Sequence, residues 1–340
     1  LGYGGNQKVG YFYAIKNNFD FVALLHGDGQ YAPELLEKLL VSLDEKDTMA
    51  VFGSRMMSKF GALNGGMPLY KFIGNKILIF LQNKILSANL SEFHSGYRIY
   101  KVEALKKIPF YLNSDDYSFD TEIIIQFLTS KFKILEVEIP TYYGDEISYV
   151  NGFKYAYQII RESIKAKIQK FGILYQKKYD LVTTEENYRL KINFLSTHYH
   201  ALNLINDNST VLDIGCNNGK LGELIIKKKK CKVYGIDEIN KKNDRLNFFY
   251  PSNLNDDLPE LNYNELDYVI FLDVIEHLND PENFMLKLYE KLSHNEKVKV
   301  IISTPNISFF IIRFMLLFGS FNYGKRGILD KTHTRLFTFS

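Results

Sequence analysis

Short apolar runs of strand length recur along this chain, each followed by a helix-length segment, and several end on a carboxylate. Phe21–Leu25 runs into His26 and Asp28, Thr210–Ile214 carries Asp213 at its end, Lys232–Ile236 stops at Asp237 and Tyr268–Leu272 at Asp273. Met49–Phe52, Ile134–Ile139 (closed by Pro140) and Val298–Ser303 complete the set. Between them, the stretches from Pro33, Asp120 to Ser130, Phe153 to Phe171 and Asn187 to Leu204 carry helical spacing of apolar residues. Strands alternating with helices predict α/β sandwiches, parallel sheets covered on both faces. In such sheets the carboxyl ends of the strands face the ligand crevice, so acidic groups placed there are candidate ligand contacts.

A chain of 340 residues is long enough for about two domains. With 46% apolar and 15% aromatic residues, each can bury a core. The polar, irregular stretch 173–186 is the expected linker, giving domains over 1–172 and 187–340. Lys plus Arg exceed Asp plus Glu only by 42 to 39, which argues against nucleic acid as the main partner. Cys216 and Cys231 are the only cysteines. They supply neither a disulfide framework nor a four-ligand zinc set, which fits a reducing, cytoplasmic setting. No secretory leader is visible, and no uncharged apolar run reaches the ~20 residues of a bilayer span. Tyr70–Leu90, broken by Lys71, Lys76 and Lys84, and Ile307–Phe321, broken by Arg313, come closest. Ordinary amphipathic helices are the first reading for both. Peripheral contact with the cytoplasmic face of a membrane is the alternative.

In the first half, His26, Asp28 and Gln30 offer nitrogen and oxygen ligands at a strand end, directly before the helix start at Pro33. A hard divalent ion carrying phosphate oxygens suits that set, and a turn with an Asp cap fits the spacing equally well. The segment resembles the metal-binding strand end of family 2 glycosyltransferases of the dolichyl-phosphate mannose synthase type, whose fold is GT-A. Their pattern is Asp-x-Asp-x-Gln followed by a Pro-containing helix start. Asp28 and Gln30 match it, and His26 stands where the first Asp sits. Gly53-Ser-Arg55, Glu92-Phe-His-Ser-Gly-Tyr-Arg98, Phe119-Asp-Thr-Glu122 and Glu136–Pro140 follow in the family's order.

The resemblance implies a nucleotide-sugar donor, a sugar, glycan or lipid-phosphate acceptor, and Mg or Mn held by His26, Asp28 and Gln30. Arg55 and Arg98 suit phosphate recognition, since a guanidinium grips two oxygens. Asp28 and Glu92 are the catalytic candidates, Glu92 as base toward an acceptor hydroxyl; His94 reads as a structural neighbour. The resemblance covers the later two-thirds of such a domain, so the expectation is an N-terminally truncated unit with little transferase activity alone.

In the second half, Val211-Leu-Asp-Ile-Gly-Cys-Asn-Asn-Gly219 is a strand, a Gly-rich turn and a helix start. Nicotinamide-binding turns look alike, but here the dinucleotide glycine spacing is not met. Asp213 suits an amino-acid moiety better than a pyrophosphate, and Asp237 can accept from both ribose hydroxyls. The block resembles class I S-adenosylmethionine (SAM) methyltransferases, with a Rossmann-like fold. Their acidic, Gly-rich turn corresponds to Asp213, Gly215, Cys216, Asn217 and Gly219, with Asn217 for the middle glycine. The signature Asp267–Leu278, which includes Asp273, resembles their fourth strand. An oxygen nucleophile benefits from a general base; His277 and His333 are the candidates. The resemblance stops before the family's last strands, so this domain is expected to be C-terminally truncated.

Together these features predict a bifunctional transferase of polysaccharide or glycolipid assembly. The alternatives are an active methyltransferase beside a degenerate sugar-binding domain, and a membrane-surface scaffold without catalysis.

Overall fold

The computed structural model describes residues 1–143, 151–170, 174–181, 190, 192, 196–238, 244–325 and 327–339. Residues 173 and 182–186 of the expected linker 173–186, and the start of the helix expected from Asn187, lie outside these. The chain divides into two compact units, Leu1–Thr183 and Thr184–Ser340.

The first unit contains α1 (Gly2–Lys16), β1 (Phe21–Leu24), α2 (Leu36–Leu43), β2 (Thr48–Ser54), α3 (Gly61–Asn64), α4 (Leu69–Leu86), β3 (Arg98–Lys101), α5 (Val102–Lys106), α6 (Phe119–Thr129), β4 (Lys133–Glu138) and α7 (Gly152–Gln169). Its sheet has the order β1-β3-β2-β4. β2 and β4 are parallel, whereas β3 runs antiparallel to both β1 and β2. Leu24 and Phe52 both lie opposite Arg98, the first residue of β3. The segment preceding β3 therefore reaches the same edge at which β1 and β2 end. Period-two alternation sorts the side chains. Ala50, Phe52 and Tyr100 join a core with Phe119, Ile123 and Phe127 of α6, while Val51 and Ile99 face Leu39 and Leu43 of α2.

α1 has no sequence counterpart in the strand-and-helix pattern, because glycines at 2, 4 and 5 make a poor helix start. Packing supplies the reason for them. A Cβ on Gly4 would sit 2.5 Å from the Ser114 carbonyl oxygen and 2.7 Å from Phe119 Cβ. The helix is seated backbone to backbone against the segment that leads into α6.

The second unit contains α8 (Thr197–Leu204), β5 (Thr210–Ile214), α9 (Lys220–Lys229), β6 (Lys232–Asp237), β7 (Phe248–Pro251), β8 (Tyr268–Leu272), α10 (Pro281–Leu292), β9 (Lys299–Ser303) and α11 (Phe310–Leu317). All its strands are parallel, in the order β7-β6-β5-β8-β9. The sequence order reverses between β5 and β8, which makes their carboxyl ends the crevice of this sheet. Leu212, Val269 and Phe271 pack with Phe284, Leu288 and Leu292 of α10; Val211, Val233 and Ile270 pack with Leu221 and Ile225 of α9.

Candidate active sites

In the first unit the chain leaves β1 through His26 and Asp28, turns at Gly29 (φ 76°) and enters a 3₁₀ turn at Pro33–Leu35. Asp28 is exposed, and its Oδ1 accepts from the Gln30 backbone N–H at 3.2 Å. The Gln30 carbonyl in turn accepts from Tyr142 N–H (3.2 Å) and the Thr141 hydroxyl (3.3 Å). These bonds hold the 25–33 loop against Pro140–Tyr142, and the two segments line a cleft of about 480 Å³.

His26 sits over Gly96, where an added Cβ would fall 2.1 Å from its Cε1. The hydrogen bonds around the ring fix its tautomer. The Tyr3 hydroxyl donates to Asp120 Oδ2 at 2.8 Å, so its oxygen must accept from His26 Nε2–H at 2.9 Å. That leaves the Nδ1 lone pair facing Asp28 Oδ2 at 3.9 Å. Burial lowers the His26 pKa, against the opposing pull of Asp120 and Asp28, so the ring is neutral near pH 7. Two lone-pair donors facing each other across that gap form a partial ligand set that a divalent cation satisfies.

Arg55 and Arg98 are not open to a phosphate. Arg55 Nε reaches Glu92 Oε1 at 2.9 Å, its NH2 contacts the same oxygen, and its NH1 donates to the Tyr143 hydroxyl at 2.8 Å. The other Glu92 oxygen accepts from the Arg55 backbone N–H at 2.7 Å. Both side chains are buried, so the pair serves itself. This corrects the expectation of Arg55 as phosphate grip and of Glu92 as base. Arg98, 1% exposed, donates to the Ser95 and Phe93 carbonyls (both 2.8 Å) and pairs with Asp120. Its fork shapes the 93–98 loop from inside instead of meeting a ligand. His94 Nδ1 meets the Tyr155 hydroxyl at 2.9 Å, and burial together with both arginines lowers its pKa to about 3.

Tyr3 and Gln7 carry no mark in the sequence pattern, and Glu136 figures there only as the first residue of the Glu136–Pro140 segment. Gln7 steadies Asp120, and the Glu136 carboxylate takes the Ser91 and Glu92 backbone N–H groups. The signal for Glu136 was an acid between the apolar residues Leu135 and Val137 of a strand; for Tyr3 and Gln7 it was the i, i+4 spacing within a helix that the glycines concealed.

In the second unit, Gly215, Asn217 and Gly219 all adopt left-handed backbone angles (φ 72°, 48° and 72°). Gly215 has no room for a side chain, since a Cβ would stand 2.5 Å from Val274 Cγ2. Asn tolerates the left-handed region through its short polar side chain. Its backbone N–H donates to Asp237 Oδ2 at 2.7 Å. Asp237, at the tip of β6, thus ties down the turn while remaining partly exposed. Asp213 is 4% exposed, and its Oδ2 has no hydrogen-bond partner among the described residues. Burial, reinforced by the Asp237 charge, pushes its pKa up to about 7. Cys216 contributes only backbone. Its thiol packs beneath Gly235 in the core and is pushed up by burial, so its side chain does not line the site.

At the tip of β8, Asp273 is exposed and left-handed (φ 55°), its carboxylate accepting from the Ser303 hydroxyl at 2.8 Å. His277 and His333 meet edge to face, ring centroids 4.8 Å apart. Each places Nδ1 on a backbone carbonyl, Thr332 at 3.2 Å and Ile328 at 3.0 Å.

Each unit is an α/β domain whose polar groups gather at the carboxyl edge of its sheet, the architecture of transferases that hold a nucleotide-bearing donor. The chain belongs to the methyltransferase domain family, matched over residues 162–337, and its residues 2–109 match glycosyl transferase family 2. An uncharacterized protein of Methanocaldococcus jannaschii is 34% identical over 48% of this chain and 68% of its own length. The polyprenol monophosphomannose synthase of Mycolicibacterium smegmatis is 25% identical over 41% of this chain and 51% of its own. The UDP-N-acetylglucosamine–dolichyl-phosphate N-acetylglucosaminyltransferase of Methanococcus voltae is 28% identical, covering 47% and 64%. The chain thus spans between about half and two-thirds of the length of these relatives.

Proposed function

We propose that the chain serves glycan assembly with two transferase units, one directed at a nucleotide-sugar and the other at S-adenosylmethionine. The observation that carries the second activity is Asp213. A buried carboxylate oxygen without a partner is costly unless a ligand satisfies it. Here it stands beside a left-handed turn that brings backbone close to a ligand, with a second carboxylate one strand away. The sulfonium donor supplies the matching groups: an ammonium for Asp213 and paired ribose hydroxyls for Asp237. When bound, it delivers an activated methyl group. The residues of the unit orient the donor and exclude water, the main requirement of a direct displacement. Calorimetry with S-adenosylmethionine tests this. Wild type should bind and Asp237→Ala should lose most of the affinity; equal binding by both would refute the assignment.

For the first unit, the opposed lone pairs of His26 and Asp28 support a divalent metal, Mg or Mn, with Gln30 as the third candidate. Such an ion neutralises charge on a departing diphosphate. The acceptor we infer is a glycan or lipid phosphate, the latter in keeping with the printed activities of the polyprenol and dolichyl relatives. A second reading keeps the methyltransferase and makes the first unit a binding domain. It is favoured by the internal engagement of Arg55, Glu92 and Arg98. Metal-dependent hydrolysis or transfer of a nucleotide-sugar by the chain separates the two readings.

No helix among the described residues is long and apolar enough to cross a membrane. Peripheral contact at the cytoplasmic face is the form of membrane association we propose.

A further inference from the structure

The structure assigns a second metal site, in the methyltransferase unit: Glu276, His277 and His333 hold a divalent transition-metal ion that binds the acceptor hydroxyl. Glu276 lies in the short 3₁₀ turn Ile275–His277 that follows β8. It is 1% exposed, and apart from the neighbouring Thr304 hydroxyl, whose geometry falls short of a hydrogen bond, neither carboxylate oxygen has a partner among the described residues. An acid so enclosed calls for a cation or a proton.

The two histidines supply the rest. A backbone carbonyl can only accept, so the contacts to Thr332 and Ile328 put the proton of each ring on Nδ1 and leave Nε2 with its lone pair. That is how an outer partner orients a metal-binding imidazole. One ligand atom from each of the three residues lies within 4.8 Å of the others.

The loop bearing His333 is fixed in place. Thr334 and Arg335 N–H both donate to the Glu276 carbonyl, at 2.8 and 3.2 Å, and Gly324 pairs with Asp330. A contact across so many residues, stitched to the backbone of the glutamate itself, is built and not incidental. Two imidazoles and one carboxylate favour ions of the zinc and manganese type over calcium, and three protein ligands leave positions open for substrate oxygen.

The location explains the use. Val274 packs directly on Gly215 of the donor turn, so the ion stands beside the methyl donor. A hydroxyl bound to the metal loses its proton to water more readily. Its oxygen then attacks the methyl carbon, the carbon–sulfur bond breaks with its electron pair going to sulfur, and the products are a methyl ether and a neutral thioether. This role makes both histidines ligands instead of free bases. It rests on the methyltransferase reading, and the test keeps the two apart.

The full chain, stripped of metal by a chelator, is titrated with Co²⁺ and followed by its visible absorption. Asp28→Asn, which removes a ligand from the first unit, should keep the absorbing site. His277→Ala, at an exposed position, and His333→Ala should each weaken it at least about tenfold, the scale on which even outer partners of metal-bound histidines act. Glu276→Gln should do the same. Titration curves for the two histidine variants that superimpose on wild type overturn the proposal. S-adenosylmethionine calorimetry on the same samples reports on the methyltransferase reading separately: a wild type that binds Co²⁺ through these residues but no sulfonium donor sinks that reading alone.

Discussion

Asp213 couples the stability of its unit to pH. An unfolded carboxyl titrates near ~3.9, whereas burial and the Asp237 charge raise the folded group to about 7. Between those values the folded chain binds a proton that the unfolded chain does not. The contribution is therefore fully present below about pH 4 and is lost as pH rises through about 7, on the order of a few kcal/mol in total. Urea unfolding at pH 5 and pH 7.5 should show this loss, and Asp213→Asn should remove it. An ammonium ligand favours the ionised acid, so donor affinity should weaken below about pH 7, with proton release visible as a dependence of the calorimetric heat on buffer. The Arg55–Glu92 pair behaves differently. Removing one partner of a buried pair costs ~3–5 kcal/mol, while replacing both with apolar groups is close to neutral. Glu92→Ala should thus destabilise the first unit strongly in urea unfolding, and an Arg55→Met, Glu92→Leu double variant should recover most of the loss. Residue types at strand ends were readable from the sequence because spacing places a side chain at an edge. Whether a guanidinium meets a ligand or a neighbouring carboxylate was not, since Arg55 and Glu92 are 37 positions apart.

The elements show the same division. Strands β2, β4, β5, β6, β8 and β9 announce themselves as apolar runs. β3 escaped, because Arg98 and Lys101 give its four residues a polar look although Ile99 and Tyr100 are wholly buried. β7 is aromatic, Phe-Phe-Tyr-Pro, but it is only four residues long and lies at the sheet edge, too short a run to mark a strand by itself. α4 matches the Tyr70–Leu90 stretch, and Tyr70, Ile73, Ile77 and Phe80 stand at least about half exposed along it. These positions share one face of a helix, with Lys84 on it and Lys76 at its edge, the composition of a helix that can lie in a lipid interface. An Ile77→Ser, Phe80→Ser variant should float markedly less with anionic vesicles than wild type. Gly96→Ala tests the other edge. In a His277→Ala, His333→Ala background that removes the second unit's metal ligands, pushing the His26 ring aside should weaken Mn²⁺ binding by the first unit, read by the electron spin resonance of free Mn²⁺.

Across the whole molecule, each unit has its own core, so heat should melt the chain in two steps. Saturating S-adenosylmethionine should raise one step only, by the equivalent of about 2.7 kcal/mol at a hundred times its Kd; calorimetric scans with and without the donor would show it. The broad architecture was legible because alternation of strand and helix is a long-range pattern that survives local exceptions. The metal geometry was not, since it depends on a loop returning from far along the chain. One detail of the first sheet bears on how such a protein can change over generations. The reversed strand is locked by partners on either side, and the stretch feeding it is held as well: the Gly53 N–H donates to the Tyr97 carbonyl, and Arg98 grips the carbonyls of Phe93 and Ser95. The cleft is lined instead by residues 25–33 and 140–142, beyond the last paired residue of β1, so a residue gained or lost in the 25–33 turn would redraw its rim while every strand pairing stays in place.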